Sequence, residues 1–294
     1  MEAMVVQTQY EDGYWWSKDG LRLHYRDYGV RTDRPPILCI PGLTRNARDF
    51  AHVAERLADQ WRLICVDLRG RGESGYSKLP MSYGPLTYLQ DLEDLLETLG
   101  LDRFICFGTS LGGLMTMMLA AHRTGRIAGA LLNDIGPIVE EAGLARIRGN
   151  VGKSASWPSW MHAARSTAMA LAVAHPDYDL PQWISLSKRL NRLTAQGRIV
   201  PDYDMRIAEP MRHPAEPLDL WPAFEALRGA PVAILRGELS DILSAATAAR
   251  MAERLPNARL HVVPRTGHPP ELDEPESIRA IDALLVAVEA ANGR

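Results

Sequence analysis

Short apolar runs alternate with amphipathic stretches along the first half of the chain. The apolar runs lie at positions 36–40, 62–68, 103–108 and 127–133. Strands of a parallel sheet show this pattern, because helices cover both faces of such a sheet. Two earlier runs, 13–17 and 21–28, flank the dipeptide Asp19-Gly20, which favours a tight hairpin turn. The pattern predicts an α/β protein built on a central, mostly parallel sheet.

Leucines at helical spacing follow the predicted strand at 62–68. They recur at three- and four-residue spacing, at Leu86, Leu89, Leu92, Leu95, Leu96 and Leu99. These side chains share one face of a helix, and Gly100 is typical of the position just past a helix end. The acidic residues between them, including Asp91, Glu93 and Asp94, are expected to face solvent. A further helix is predicted near Asn46, whose side chain can cap a first turn.

The pattern changes after Pro137. From there to about residue 222 no convincing strand occurs, and prolines break the stretch into short helices. Strand-like runs return at 231–236 and 258–263, and a last helix is predicted at about 275–291. The chain is therefore expected to form one α/β core, residues 1–136 and 223–294, interrupted by a helical cap at residues 137–222. An insertion of this length is enough for a small subdomain.

Composition narrows the possible functions. The 33 Lys and Arg residues against 36 Asp and Glu residues give a net charge of −3. A chain with this charge lacks the excess of basic residues that attracts nucleic acid or an anionic membrane. No apolar stretch approaches the roughly 18 residues of a membrane span, and the first residues lack the pattern of a secretory leader. The three cysteines have no metal-binding or disulfide spacing and are expected as buried thiols. A cytoplasmic protein without a metal site is predicted.

The strongest chemical signal is a G-x-S-x-G motif at 108–112, centred on Ser110. It follows a predicted strand and opens a predicted helix. A serine at such a strand-to-helix turn has an exposed hydroxyl and a strained backbone. The helix N-terminus adds partial positive charge beside it. Ser110 is therefore the candidate nucleophile.

A serine hydroxyl needs an adjacent base, and the base needs an acid to orient it. His268 follows the last predicted strand, where sites form in open α/β sheets, and it is the candidate base. Asp241, just after the preceding strand, is the favoured acid. Asp134, at the end of the strand at 127–133, is the alternative. The backbone N–H groups of Leu43 and Leu111 are the candidate oxyanion donors.

At this point the chain resembles the α/β-hydrolase superfamily, in the cap-bearing branch of small esterases, enol-lactonases, carbon–carbon hydrolases and cofactor-free haloperoxidases. Besides the G-x-S-x-G motif and the order Ser, Asp, His, the segment at 67–74 is similar to the family's D-x-R-G-x-G-x-S segment, which shapes a turn. Pro41 departs from the histidine that many relatives carry before Gly42. The resemblance implies an eight-stranded, mostly parallel sheet flanked by helices, with strand order 1-2-4-3-5-6-7-8. The cap would follow strand 6.

The resemblance implies a serine hydrolase of a small carboxylic ester or lactone that needs no cofactor. The same three residues could instead cleave a carbon–carbon bond in a diketone, or the fold could serve as a ligand receptor. In the predicted cap, Trp157, Trp160 and Trp183 either line the substrate pocket or pack the cap onto the core. Arg45 either holds a substrate carboxylate or lies exposed. The expected partner is a small molecule, and the chain is either a monomer or a homodimer.

Overall fold

A single eight-stranded sheet forms the centre of the computed structural model, which describes residues 9–212 and 219–293. Its strands are β1 (Tyr10–Trp16), β2 (Arg22–Tyr28), β3 (Ile37–Ile40), β4 (Leu63–Asp67), β5 (Phe104–Thr109), β6 (Ile127–Asn133), β9 (Val232–Gly237) and β10 (Ala258–Val263). Their order is β1-β2-β4-β3-β5-β6-β9-β10. β2 pairs antiparallel with both β1 and β4, and the other pairs are parallel. The predicted order is confirmed, as is the fold class.

Every residue of β3, β4, β5 and β6 is buried. Successive side chains of a strand point to opposite faces. In β3, Leu38 and Ile40 therefore belong to the core on one side of the sheet, and Ile37 and Cys39 belong to the core on the other. This two-sided burial is the physical reason for the uniformly apolar runs in the sequence.

Ten helices lie among the described residues. They are α1 (Ala51–Leu57), α2 (Pro85–Leu99), α3 (Leu111–His122), α4 (Glu141–Asn150), α5 (Trp160–Leu171), α6 (Leu180–Leu190), α7 (Glu209–Arg212), α8 (Trp221–Glu225), α9 (Ala245–Arg254) and α10 (Pro275–Ala291). α2 ends at Gly100, which has the left-handed φ of 63° expected there. Asn46 caps a short 3₁₀ turn that leads into α1, its side chain accepting from the Arg48 N–H at 3.1 Å.

Two acidic residues of α2, Asp91 and Glu93, do not face solvent as expected, whereas Glu97 does. Asp91 and Glu93 are 2 % and 3 % exposed. Asp91 accepts two hydrogen bonds from Arg69, at 2.6 and 2.7 Å, and Glu93 accepts one from Arg126 at 2.9 Å. Burial raises the pKa of Asp91 to about 6 although Arg69 opposes that shift. The prediction was wrong because both arginines come from other segments of the chain.

Between β6 and β9 the chain forms α4 to α8 and a small antiparallel ribbon of β7 (Asn191–Leu193) and β8 (Ile199–Pro201). The expectation that this stretch contains no strand was therefore wrong. α8 packs against α3 of the core. No helix among residues 9–212 and 219–293 is long and apolar enough to cross a membrane. The expectation about a leader falls partly on residues 1–8, which lie outside the described residues.

Candidate active site

Ser110 lies at the sharp turn between β5 and α3. Its backbone φ of 51° and ψ of −114° are a combination that non-glycine residues rarely adopt. The turn is fixed from the neighbouring strand, because the Ser110 N–H donates to the Asn133 carbonyl at 3.0 Å. The side chain is half-buried and stands at the carboxyl edge of the sheet, in front of the first turn of α3.

The glycines of the motif are required by close backbone approach. A Cβ on Gly108 would lie 2.5 Å from the carbonyl carbon of Gly112, and a Cβ on Gly112 would collide with the carbonyl oxygen of Ile40. β5, α3 and β3 can therefore approach this closely only with glycine at both positions. The motif thus brings the serine beside the loop that follows β3.

His268 comes from the loop after β10, as the sequence predicted. Its Nε2 lies 2.9 Å from Ser110 Oγ, and its side chain is 6 % exposed. The Gly267 N–H next to it donates to the Ala174 carbonyl at 2.7 Å. The loop that carries the imidazole is therefore tied to the segment between α5 and α6.

Asp134 contacts the imidazole, and Asp241 does not. The Oδ2 atom of Asp134 lies 2.8 Å from His268 Nδ1. The carboxylate also accepts from the Gly237 N–H at 2.9 Å and from the Ser240 hydroxyl at 2.5 Å. Asp134 is fully buried and follows β6 with a φ of 55°. The favoured prediction, Asp241 beside His268, is corrected by this geometry in favour of the alternative.

Asp241 is turned outward toward α4. Arg146 donates to its two carboxylate oxygens at 2.6 and 2.7 Å, and these hydrogen bonds hold the pKa of Asp241 below its usual value. The loop explains the orientation. The hydroxyl of Ser240 donates to Asp134 and accepts from the N–H groups of Ile242 and Leu243. The turn therefore directs the Ser240 side chain inward to Asp134 and the Asp241 side chain outward to Arg146.

The loop after β3 brings the predicted oxyanion donors near the serine. A Cβ on Gly42 would lie 3.7 Å from the Ser110 Cβ. Among the described residues, no acceptor binds the N–H of Leu43 or of Leu111. The Leu43 carbonyl accepts from Arg71 Nε at 2.8 Å, and Arg71 is fully buried. Sequence reasoning assigned the segment at 67–74 to a turn and missed that Arg71 also holds this loop.

A cavity of about 200 Å³ opens onto Ser110 and His268. Most of its wall is apolar, and α4, α5 and α6 or the residues next to them supply one side. The lining residues include Leu43, Ile147, Val151, Leu171, Leu190 and Pro269, with Arg45, Arg146 and His175 as polar members. Larger surface cavities of about 410 and 620 Å³ lie elsewhere, and neither is lined by Ser110, His268 or Asp134.

The three candidate tryptophans do not line this cavity. Trp183 is buried against Ala164 and Leu186 and lies 5.1 Å from the Tyr178 ring, so it packs the helices of the insertion together. Trp157 pairs through its backbone with Ile199, and Trp160 begins α5. Packing is therefore the role of Trp183, and neither Trp157 nor Trp160 contacts the cavity.

Arg45 lines the cavity but is buried, and two carboxylates pair with it. Its guanidinium binds Asp49 and, at 2.7 Å, Glu271, and its side chain is 10 % exposed. Arg189 of α6 also binds Glu271, at 2.5 Å. Burial opposes ionisation of Glu271, but Arg45 and Arg189 hold its pKa well below the usual range. This buried cluster joins the loop after β3 to α6 and to the segment after His268, and the expectation that Arg45 lies exposed is corrected.

The arrangement as a whole is suited to acyl transfer. A hydroxyl, an imidazole and a buried carboxylate form one continuous chain of hydrogen bonds. The N–H groups of Leu43 and Leu111 have no acceptor among the described residues, and they belong to the loop that approaches Ser110 and to the residue after it, where donors to a tetrahedral oxyanion are needed. No group of three or more His, Cys, Asp or Glu side chains in the described part of the chain is placed to hold a metal ion.

Known proteins share this architecture. The family model described as alpha/beta hydrolase fold matches residues 35–275. A solved structure of an alpha/beta hydrolase from Novosphingobium aromaticivorans is 54 % identical, with a TM-score of 0.92, and the match covers 95 % of this chain and 99 % of that one.

Two curated relatives match most of the chain. The 3-hydroxybutyrate-oligomer hydrolase of Cupriavidus necator is 30 % identical over 267 residues, which cover 87 % of this chain and 90 % of the relative. The 2-(acetamidomethylene)succinate hydrolase of Mesorhizobium japonicum is 27 % identical over 256 residues, which cover 86 % of this chain and 88 % of the relative. Both relatives are named as hydrolases.

Proposed function

The chain belongs to the α/β-hydrolase family, and on that premise we propose that it is a serine hydrolase of a small carboxylic ester or lactone. Ser110 is the nucleophile, His268 the base and Asp134 the acid. The observation that carries the proposal is the hydrogen-bonded chain from Ser110 Oγ to His268 Nε2, at 2.9 Å, and from His268 Nδ1 to Asp134, at 2.8 Å. This chain ends at a small, mostly apolar cavity.

In the proposed reaction each residue has its own step. Ser110 Oγ attacks the ester carbonyl while its proton passes to His268 Nε2. Asp134 holds the Nδ1–H tautomer and stabilises the imidazolium, and its carboxylate is itself oriented by the Gly237 N–H and the Ser240 hydroxyl. The N–H groups of Leu43 and Leu111 hold the oxyanion. His268 then protonates the leaving alcohol, and afterwards it activates the water that releases the acid from Ser110.

One of the two relatives supports an ester as the substrate. Oligomers of a hydroxy acid are joined by ester bonds, and the relative from Cupriavidus necator is named for hydrolysis of such an oligomer. The cavity of about 200 Å³ is large enough to hold a short acyl chain but too small to bury a long one. Cleavage of a carbon–carbon bond by the same residues is an outcome that the test below distinguishes.

We further propose that residues 137–222 act as the cap of this site. Side chains in and next to α4, α5 and α6, among them Ile147, Leu171 and Leu190, form one wall of the cavity above Ser110. A cap of this kind excludes water from the acyl group and sets the length of chain that fits.

The three cysteines are buried and unpaired, which suits the reducing cytoplasm where we place the protein.

The direct test is hydrolysis of p-nitrophenyl esters with acyl chains of two to eight carbons by the wild type and by Ser110→Ala. We expect an optimum at short chains and loss of turnover in the variant, whose folding is checked by its melting temperature. Thr116→Ala, which removes a hydroxyl from the buried face of the same helix, is the control for substitutions nearby. Turnover of a diketone with none of any ester would replace the proposal by carbon–carbon cleavage. Wild-type rates in Ser110→Ala would refute the nucleophile.

A further inference from the structure

Arg146 lines the substrate cavity and keeps one guanidinium nitrogen without a partner among the described residues. It lies on α4 and lines the cavity together with Ser110 and His268. Its Nε and Nη2 atoms donate to Asp241 in a side-on pair at 2.6 and 2.7 Å. A guanidinium has five N–H donors in a fixed fork. The Nη1 atom makes no hydrogen bond to any of the described residues, so its two donors remain for a ligand.

The guanidinium is held in place before any ligand binds. Gly143 on α4 lies so close to Asp241 that a Cβ there would collide with the Asp241 carbonyl oxygen. The Glu140 N–H donates to the Ile242 carbonyl at 3.0 Å. α4 and the loop after β9 therefore form one packed unit, in which Asp241 fixes the plane of the guanidinium. Fixing the plane reduces the entropy that binding would otherwise cost.

The other guanidinium of the cavity wall is paired with two carboxylates, whereas Arg146 is paired with one. Arg45 binds two carboxylates, Asp49 and Glu271, and is buried with them. No carboxylate side chain appears on the cavity wall, and most of that wall is apolar. An anionic group that enters the cavity meets no carboxylate on its wall, and Arg146, whose charge is shared with one carboxylate rather than two, is its favoured partner. Planar guanidinium donors match a carboxylate well.

We propose that Arg146 binds a free carboxylate of the substrate through Nη1, and that the substrate is therefore an ester whose acyl chain carries a second, ionised carboxyl group. This inference names the substrate class of the site and rests on the proposed function. Asp241 is a positioning residue for Arg146. The apolar wall then accommodates the methylene or methyl groups between the scissile ester and the carboxylate.

Two esters of the same length test the proposal: mono-p-nitrophenyl adipate, which ends in a carboxylate, and its methyl-capped counterpart. The ratio of their kcat/KM values is measured for the wild type, Arg146→Gln, Arg146→Lys and Arg148→Gln, after correction for spontaneous hydrolysis. Arg148 is the matched control, because it lies on the same helix but pairs with the exposed Glu141.

We expect the wild type to favour the carboxylate ester. That preference should fall about ten- to a hundredfold in Arg146→Gln, mainly through KM, as expected for loss of a charged hydrogen bond. Arg146→Lys should recover part of it, and Arg148→Gln should keep it. Equal losses on both esters, or an unchanged ratio, would overturn the proposal.

A result that overturns the serine mechanism would look different, because Ser110→Ala would then hydrolyse both esters at wild-type rates. If melting shows that Arg146→Gln does not fold, Arg146→Lys is compared with the wild type in binding free adipate. The inference then requires at least a severalfold weaker affinity in the variant, and equal affinity would overturn it.

Discussion

Replacing Asp134 by asparagine inverts the hydrogen bond to the imidazole. The carboxylate accepts from His268 Nδ1 at 2.8 Å, from the Gly237 N–H at 2.9 Å and from the Ser240 hydroxyl at 2.5 Å. In Asp134→Asn the amide oxygen can keep one backbone donor, and the amide nitrogen then faces His268. That nitrogen donates, so Nδ1 has to accept and the proton moves to Nε2. An Nε2 that carries a proton cannot take one from Ser110.

The size of the effect follows from this change of tautomer. In a Ser-His-Asp arrangement the wrong tautomer costs roughly 10⁴-fold in kcat, or about 5.5 kcal/mol of transition-state stabilisation. The matched variant is Asp241→Asn. In the wild type, 36 % of the Asp241 side chain and 37 % of the Arg146 side chain are exposed. Loss of this exposed ion pair should therefore lower the stability of the fold by less than about 1 kcal/mol. A neutral ester should then lose less than about tenfold.

The assay is kcat/KM for p-nitrophenyl butyrate at pH 8, with the melting temperature of each variant as the control for folding. We expect Asp134→Asn to lose about four orders of magnitude in rate while remaining folded. If Asp241→Asn lost several orders of magnitude and Asp134→Asn kept most of the activity, the assignment of the acid from the contact geometry would be refuted.

Two further predictions concern packing and charge. Gly112→Ala should destabilise the fold by more than about 2 kcal/mol, because its Cβ would collide with a carbonyl of β3. The control Gly125→Ala, with a φ of 85° in open space, should cost only about 1 kcal/mol. Equal chemical-denaturation midpoints for the two would contradict this reasoning. Because Arg45 and Arg189 lower the pKa of Glu271, its charge stabilises the fold above the unfolded pKa, about 4.3, and that stabilisation is lost as the pH falls. Glu271→Gln should therefore melt several degrees lower at pH 7, with a smaller difference at pH 3. A difference that does not depend on pH would disprove the role of the charge.

The sheet could be predicted from the sequence because its signal is local. Uniformly apolar runs such as those at β3 and β5 arise wherever a strand is covered on both faces. The serine turn is similarly local, since Gly108 and Gly112 lie within two residues of Ser110. His268 could be predicted because parallel strands bring their carboxyl ends to one edge of the sheet.

The identity of the acid could not be predicted in the same way. β6 and β9 are neighbours in the sheet, so Asp134 and Asp241 both follow strands at the same edge. The choice depends on the loop after β9, where the Ser240 hydroxyl turns inward and Asp241 turns outward to Arg146. Arg146 lies 95 positions earlier in the chain, and no local pattern shows that pairing.

Buried charges were missed for the same reason. Hydrophobic spacing places Asp91 on the polar face of α2, and only the structure shows Arg69 covering it. Arg45 follows a loop that suggested either exposure or a ligand, yet its partner Glu271 comes from the other end of the chain. Isolated polar residues in a sequence therefore predict neither their burial nor their partners.

The central claim is that Ser110 forms an acyl-enzyme with the help of His268 and Asp134. The most direct measurement is mass spectrometry of the protein after brief reaction with p-nitrophenyl butyrate at acid pH, followed by peptide mapping. The account predicts one butyryl group per chain on the peptide that contains Ser110, with none in Ser110→Ala and release of the group when the pH is raised. A butyryl group on another residue, or turnover of the ester in Ser110→Ala, would contradict it.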